Sequence, residues 1–153
     1  SDVCSSDLRR LEREALVHRL RSLGLPVTPL GHGWPDSSGG ANPEAVYRAS
    51  MMNLGIGYAS PSLTLTTLKT RDFECPGAGA CYLTTWNWEL ALHYDIGREI
   101  LCYRSEEELV EIFSHYRRNP EACGRIAQAA WRRAQAEHTW ERRFREFFRH
   151  VTS

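Results

Sequence analysis

The chain has 153 residues, 42% of them hydrophobic and 25% charged, which suits one domain with its own core and is too short for two ordinary ones. Nineteen basic residues balance nineteen acidic ones, giving a formal net charge of zero. That balance excludes a generic nucleic-acid binder, which would be clearly basic, and the composition excludes a disordered segment. No apolar run approaches the roughly 20 residues of a membrane span.

Ser1–Leu8 reads SDVCSSDL and has neither the basic start nor the apolar stretch of a secretory signal. It resembles the in-frame translation of a short-read sequencing adaptor. On that reading residues 1–8 are set aside, and the natural protein is expected to extend upstream of Arg9. From 9 to 23, Leu11, Ala15, Leu16, Leu20 and Leu23 recur at helical spacing, and Gly24 stops the helix. Val27–Gly31 reads as a short strand entering the Gly/Pro-rich loop HGWPDSSGGANP. Pro43 opens a helix to about Ser50. Met52–Ala59 reads as a strand, followed by the hydroxyl-rich loop SPSLTLTT.

A short helix is predicted from Leu68 to Glu74, broken at Pro76. Ala80–Thr84 is an apolar strand, Asn87 caps a helix through Tyr94, and Ile100–Tyr103 is a further strand. Ser105 begins a capping box in which Glu108 reaches back to the cap amide, and that helix runs to about Arg117. Asn119-Pro120 starts the next helix. Thr139 caps a last one carrying Phe144, Phe147 and Phe148. Short apolar strands alternating with helices predict an α/β fold, a Rossmann-like parallel sheet flanked by helices with a helical C-terminal tail. Trp131, Trp140 and the three phenylalanines are expected to pack against the sheet or bridge to a further domain. Trp88 is expected to pack and Trp86 to line a cleft.

Cys75, Cys81, Cys102 and Cys123 form no CxxC, and no histidine stands at finger-like spacing. Zinc and disulfide frameworks are therefore unsupported, and reduced thiols in a cytoplasmic protein are the expectation. His138 is expected to make a structural hydrogen bond. Residues 117–149 hold nine arginines against four glutamates, a face that fits either a solvated helical surface or anionic lipid.

In doubly wound sheets, ligands bind beyond the carboxyl ends of the strands. The richest loop there offers the hydroxyls of Ser60, Ser62, Thr64, Thr66 and Thr67 before a helix whose free amides favour an anion. Lys69, the only lysine among 19 basic residues, and Arg71 could clamp a phosphate, and Glu74 could accept hydrogen bonds from a vicinal diol. A plain polar helix start with an Arg71–Glu74 ion pair accounts for the same residues. No P-loop and no nucleophile elbow is present.

The run LKTRDFECPGAGACYLTT, then ILCYRSEEELVEI, an Asn-Pro-Glu turn and HTWERRFREFF, resembles the C-terminal half of CgeB-like (spore maturation protein) glycosyltransferases. The resemblance spans about Val46 to Phe148. It implies the GT-B architecture of two Rossmann-like domains, with residues 9–153 an incomplete C-terminal domain that binds a nucleoside-diphosphate sugar donor. It implies no metal and no cofactor beyond that donor substrate. Arg71-Asp72-Phe73-Glu74 matches the element whose glutamate holds the donor ribose, so Glu74 is the first candidate. Lys69 and Arg71 are diphosphate candidates beside Thr66 and Thr67, and Gly33 and Trp34 face the nucleobase. Retaining relatives carry a second glutamate seven residues upstream; here Thr66 and Thr67 occupy that region. The implied partners are the donor, an N-terminal acceptor domain missing from this chain, and a membrane or lipid-linked acceptor. The fragment alone is expected to be inactive. A non-catalytic α/β ligand-binding module is the competing class.

Overall fold

The computed structural model describes residues 5–29, 34, 42–58 and 65–151. The chain divides into two compact units, residues 1–42 with 58–65, and residues 43–57 with 66–153.

In the first unit, α1 (Ser5–Ser22) buries Leu16, Val17 and Leu20, while Ala15 and Leu23 of the expected inner face are exposed. Gly24, at φ +79°, stops the helix where Leu25 N–H donates to Leu20 O at 3.0 Å. This is the left-handed closure that glycine makes without a Cβ penalty. The strand expected at Val27–Gly31 is not formed over 27–29, and Leu30 and Gly31 lie outside the described residues. The reason is local. Val27 N–H donates to Leu25 O at 2.9 Å, and Val27 O accepts from Arg21 Nε at 2.9 Å, so its backbone groups are spent within the turn.

The second unit holds a three-stranded sheet in the order β1 (Asn53–Leu54), β2 (Tyr82–Thr85), β3 (Leu101–Tyr103), all parallel. Leu83 stands between Leu54 and Leu101 in register, and all four residues of β2 are buried, as befits a central strand covered on both faces. Helices α2 (Pro43–Ala49), α3 (Arg71–Gly77), α4 (Glu106–Arg118), α5 (Pro120–Glu137) and α6 (Trp140–Val151) complete it. α3 packs on β2 and α5, and α4 packs on β3 and α5. The core joins Cys75, Tyr82, Leu90, Tyr94, Ile100 and Cys102, with Leu68, Phe73 and Trp86 packed against it. This is the α/β, Rossmann-like arrangement predicted from the alternation of strands and helices.

Four elements differ from expectation. The strand predicted over Met52–Ala59 contracts to Asn53–Leu54, prolonged by one bond from Gly55 N–H to Leu83 O at 2.8 Å. Beyond it, side-chain hydroxyls replace the ladder. α3 starts at Arg71 and runs through Pro76, which is buried inside it and does not break it. Only one helical donor is lost so close to the end. Gly79, at φ +74°, closes the helix as Ala80 N–H donates to Cys75 O at 3.2 Å. The helix predicted over Asn87–Tyr94 is a single 3-10 turn at Leu90–Leu92. In the cap of α4, Ser105 Oγ accepts from Glu108 N–H at 3.2 Å, but the Glu108 carboxylate takes the Arg104 amide at 2.6 Å, one residue earlier than predicted.

Pro120 opens α5 at its first position, and Thr139 Oγ1 accepts from Arg142 N–H at 3.3 Å at the start of α6. α6 buries no side chain: Trp140, Phe144, Phe147 and Phe148 are exposed, so packing against the sheet, one of the two arrangements expected of them, is not formed. The packing expected of Trp88 is not formed. Trp88 is 62% exposed, whereas Trp86 packs against the core under the Arg104 guanidinium, 4.7 Å from its ring centroid. Cys75, Cys81, Cys102 and Cys123 are buried free thiols, and burial pushes Cys75 and Cys102 up to about 12. Cys4 lies outside the described residues. Among the described residues, no helix is long and apolar enough to cross a membrane.

Candidate functional site

Three parallel strands end together, and hydroxyl groups stitch their carboxyl ends. Tyr103 Oη, at the end of β3, donates to Gly55 O at 2.9 Å and receives the Thr85 hydroxyl at 3.2 Å. Thr85 Oγ1 in turn accepts from Gly57 N–H at 3.2 Å. Gly55 is required by this packing: a Cβ there would collide with the Tyr82 ring and lie 2.6 Å from Thr84 Oγ1. Backbone and hydroxyls thus fill the floor behind the loop that leads to α3.

That loop is fixed by a buried carboxylate. Asp72, 3% exposed in the first turn of α3, accepts the Lys69 amide at 2.7 Å and the Tyr82 hydroxyl at 2.9 Å. Burial raises its carboxyl above the ordinary range. The Lys69 amide, the Tyr82 hydroxyl and the nearby charges of Arg71 and Lys69 oppose that rise. Burial, with the Asp72 charge beside it, also raises Tyr82, keeping it a phenol that donates. Sequence reading treated Asp72 only as part of a matched element. An acid in a first helical turn that reaches back to an earlier amide was the available clue.

Anchoring Asp72 inward turns its neighbours outward. Arg71 and Glu74, three residues apart, share the exposed face of α3, and no ion pair joins them. Lys69 is half-buried, and its Nζ donates to Thr67 Oγ1 at 2.8 Å. Thr66 and Thr67 are half-buried, and Thr67 N–H donates to Gly57 O at 3.0 Å. The structure therefore brings Thr66, Thr67, Lys69, Arg71 and Glu74 into one short stretch beyond the end of β1. Trp34 is half-buried in the first unit; Gly33, Ser60, Ser62 and Thr64 lie outside the described residues.

The expectation of free helix amides at this point needs correction. The amides of Asp72, Phe73 and Glu74 already donate to Lys69 O, Thr70 O and Thr70 O, at 2.9, 3.0 and 3.0 Å.

Beside β2, Asn87 is 3% exposed; its Oδ1 accepts from Glu89 N–H at 2.9 Å while its Nδ2 has no partner among the described residues. Behind α3, the Phe73 ring meets His93 and His138, each with centroids 5.3 Å away. His138 Nε2 lies 3.1 Å from His93 O, the structural bond expected of it, and burial lowers its imidazole below the usual value, helped by the charges of His93 and Arg143. Among the described residues, no group of three or more His, Cys, Asp or Glu is placed to hold a metal ion.

The profile of one family, described as glycosyl transferase-like, matches residues 9–149. No curated protein and no solved structure matches the chain.

Proposed function

The chain belongs to the glycosyl transferase-like family, and we propose that it is the donor-binding half of a GT-B, CgeB-like enzyme that moves a sugar from a nucleoside-diphosphate sugar to an acceptor hydroxyl. The observation that carries the reading is the outward face of α3, where Glu74 and Arg71 stand exposed beside Lys69 with no ion pair between them. A carboxylate with both oxygens available suits the two hydroxyls of a ribose. Lys69 and Arg71 supply the positive charge that a diphosphate needs. In the transfer, the bond between the anomeric carbon and the diphosphate oxygen breaks, and a new bond forms from the acceptor oxygen. Negative charge grows on the departing diphosphate, so cations fixed beside it stabilise the transition state more than the ground state. Lys69 is held by Thr67, and the loop by Asp72, so this charge is placed before the donor arrives. Arg71 adds a planar, two-pronged donor. The acceptor and the group that takes its proton are not assigned to this chain, so donor binding without turnover is expected.

Thermal denaturation with UDP, GDP and dTDP tests the reading. At least one nucleotide should raise the melting temperature, and Glu74→Ala should abolish that rise while leaving the unliganded melting temperature unchanged. Lys69→Ala should reduce it. If a folded chain gains nothing from any of the three and Glu74→Ala is without effect, the non-catalytic module is the better description.

A further inference from the structure

α6 is unlike every other helix of its unit. Its sequence, WERRFREFFRHV, places Trp140, Phe144, Phe147, Phe148 and Val151 on one stripe roughly 100° wide at the helical repeat. All five are exposed, from 53% at Phe144 to 69% at Trp140. The rings are pre-ordered against one another. Trp140 stacks on Phe144 with centroids 5.7 Å apart, Phe144 on Phe148 at 6.4 Å, and Phe147 meets Phe148 edge-on at 5.5 Å. The helix is tethered at the flank of this stripe, where the Arg143 guanidinium sits 4.4 Å from the centroid of the Phe73 ring.

Charge identifies the occupant. α6 carries four arginines against two glutamates, and one of those glutamates, Glu141, is held by Arg145 at 2.6 Å. Residues 117–149 together carry nine arginines against four glutamates within a chain whose formal net charge is zero, so the excess is concentrated at this end. Two copies meeting through the stripe would bring like-charged helices together. An anionic lipid surface complements the charge, and the headgroup boundary accepts tryptophan and phenylalanine rings. A helix with aromatic residues on one face, arginines on the other and low mean hydropathy lies in that boundary without crossing it.

We propose that α6 is a membrane-docking helix that lays its Trp140–Phe144–Phe147 stripe into the interface of an anionic bilayer. The inference stands on α6 alone and does not depend on the donor site.

Co-sedimentation of the whole chain with vesicles tests it, using phosphatidylcholine alone and phosphatidylcholine mixed with phosphatidylglycerol. Binding is expected on the anionic vesicles, weaker on the neutral ones, and weakened further by salt. Because α6 buries no side chain, Phe144→Glu with Phe147→Glu leaves the core intact. It should cut binding by about tenfold or more, since both apolar burial and charge attraction are lost. Arg142→Glu with Arg145→Glu should lower binding on anionic vesicles only. Absence of binding, or binding that the phenylalanine variant leaves unchanged, overturns the proposal. So does a vesicle-free dimer that this variant dissociates, because a second copy would then be the partner.

Discussion

α3 and α6 are both short amphipathic helices, and they use their two faces in opposite ways. α3 turns Asp72, Cys75 and Pro76 into the core and leaves Arg71 and Glu74 outside. α6 turns nothing inward and leaves its aromatic face outside. The contrast shows that amphipathic pattern identifies a face without identifying what covers it. In α3 the inward face is fixed by a polar contact, the Asp72–Tyr82 bond, as much as by apolar burial. In α6 even four aromatic rings do not bring a side chain into the core.

Substitutions sharpen the comparison, beginning with the one that should hurt most. Asp72→Ala leaves the Tyr82 hydroxyl and the Lys69 amide without their acceptor, and unsatisfied buried groups cost about 1–3 kcal/mol each. A loss of about 3 kcal/mol in urea denaturation is expected; an unchanged midpoint would mean that Asp72 does not hold the loop. Gly55→Ala forces a methyl group against Tyr82 and Thr84, and overpacking of that kind costs about 1–3 kcal/mol. Tyr82→Phe removes one of the two donors to Asp72 and should cost about 1.5 kcal/mol, less than Asp72→Ala. Phe144→Ser in α6 should stay within about 0.5 kcal/mol of the parent, as an exposed substitution does. A large loss there would erase the contrast between the two helices.

A pH experiment separates two groups whose shifts have opposite sign, buried Asp72 and half-buried His138. His138 is lowered, so the folded chain favours neutral imidazole. Its contribution is complete above the unfolded value near 6.5 and is lost as pH falls through the folded one. His138→Gln should flatten the fall in melting temperature between about pH 7 and 5. Asp72 is raised, so its contribution is present in acid and declines as pH rises from the ordinary carboxyl value through the folded one. A titration of His138 followed by NMR that gave an ordinary or raised value would contradict the burial described for it.

Much of the fold was legible because local chemistry decides it. Ser105, Pro120 and Thr139 mark helix starts through the groups next to them, and β2 and β3 are apolar runs too short for helices. What was not legible depends on distant partners. The length of β1 is set by Thr85 and Tyr103, 28 residues beyond Gly57 and 48 beyond Gly55. The strand expected at Val27 fails because a side chain from the preceding helix takes its carbonyl. Glu74, Arg71 and Lys69 could be named from spacing and resemblance, and the local bond of Asp72 to the Lys69 amide had a clue in sequence, but its bond to Tyr82 had none, since that needs a tertiary position. That Trp86 packs and Trp88 does not has the same origin, since Trp86 is placed by the distant residues of the core and by Arg104.

The bond from Thr67 N–H to Gly57 O carries a consequence for how this fold can change. The second unit is interrupted in sequence, losing the chain after Gly57 and regaining it at Thr66. Because that bond is made by main chain at both ends, the two edges stay clamped whichever side chains they carry. Thr67 can therefore be exchanged without releasing the clamp, and what such an exchange removes is the hydroxyl that takes Lys69 Nζ at 2.8 Å.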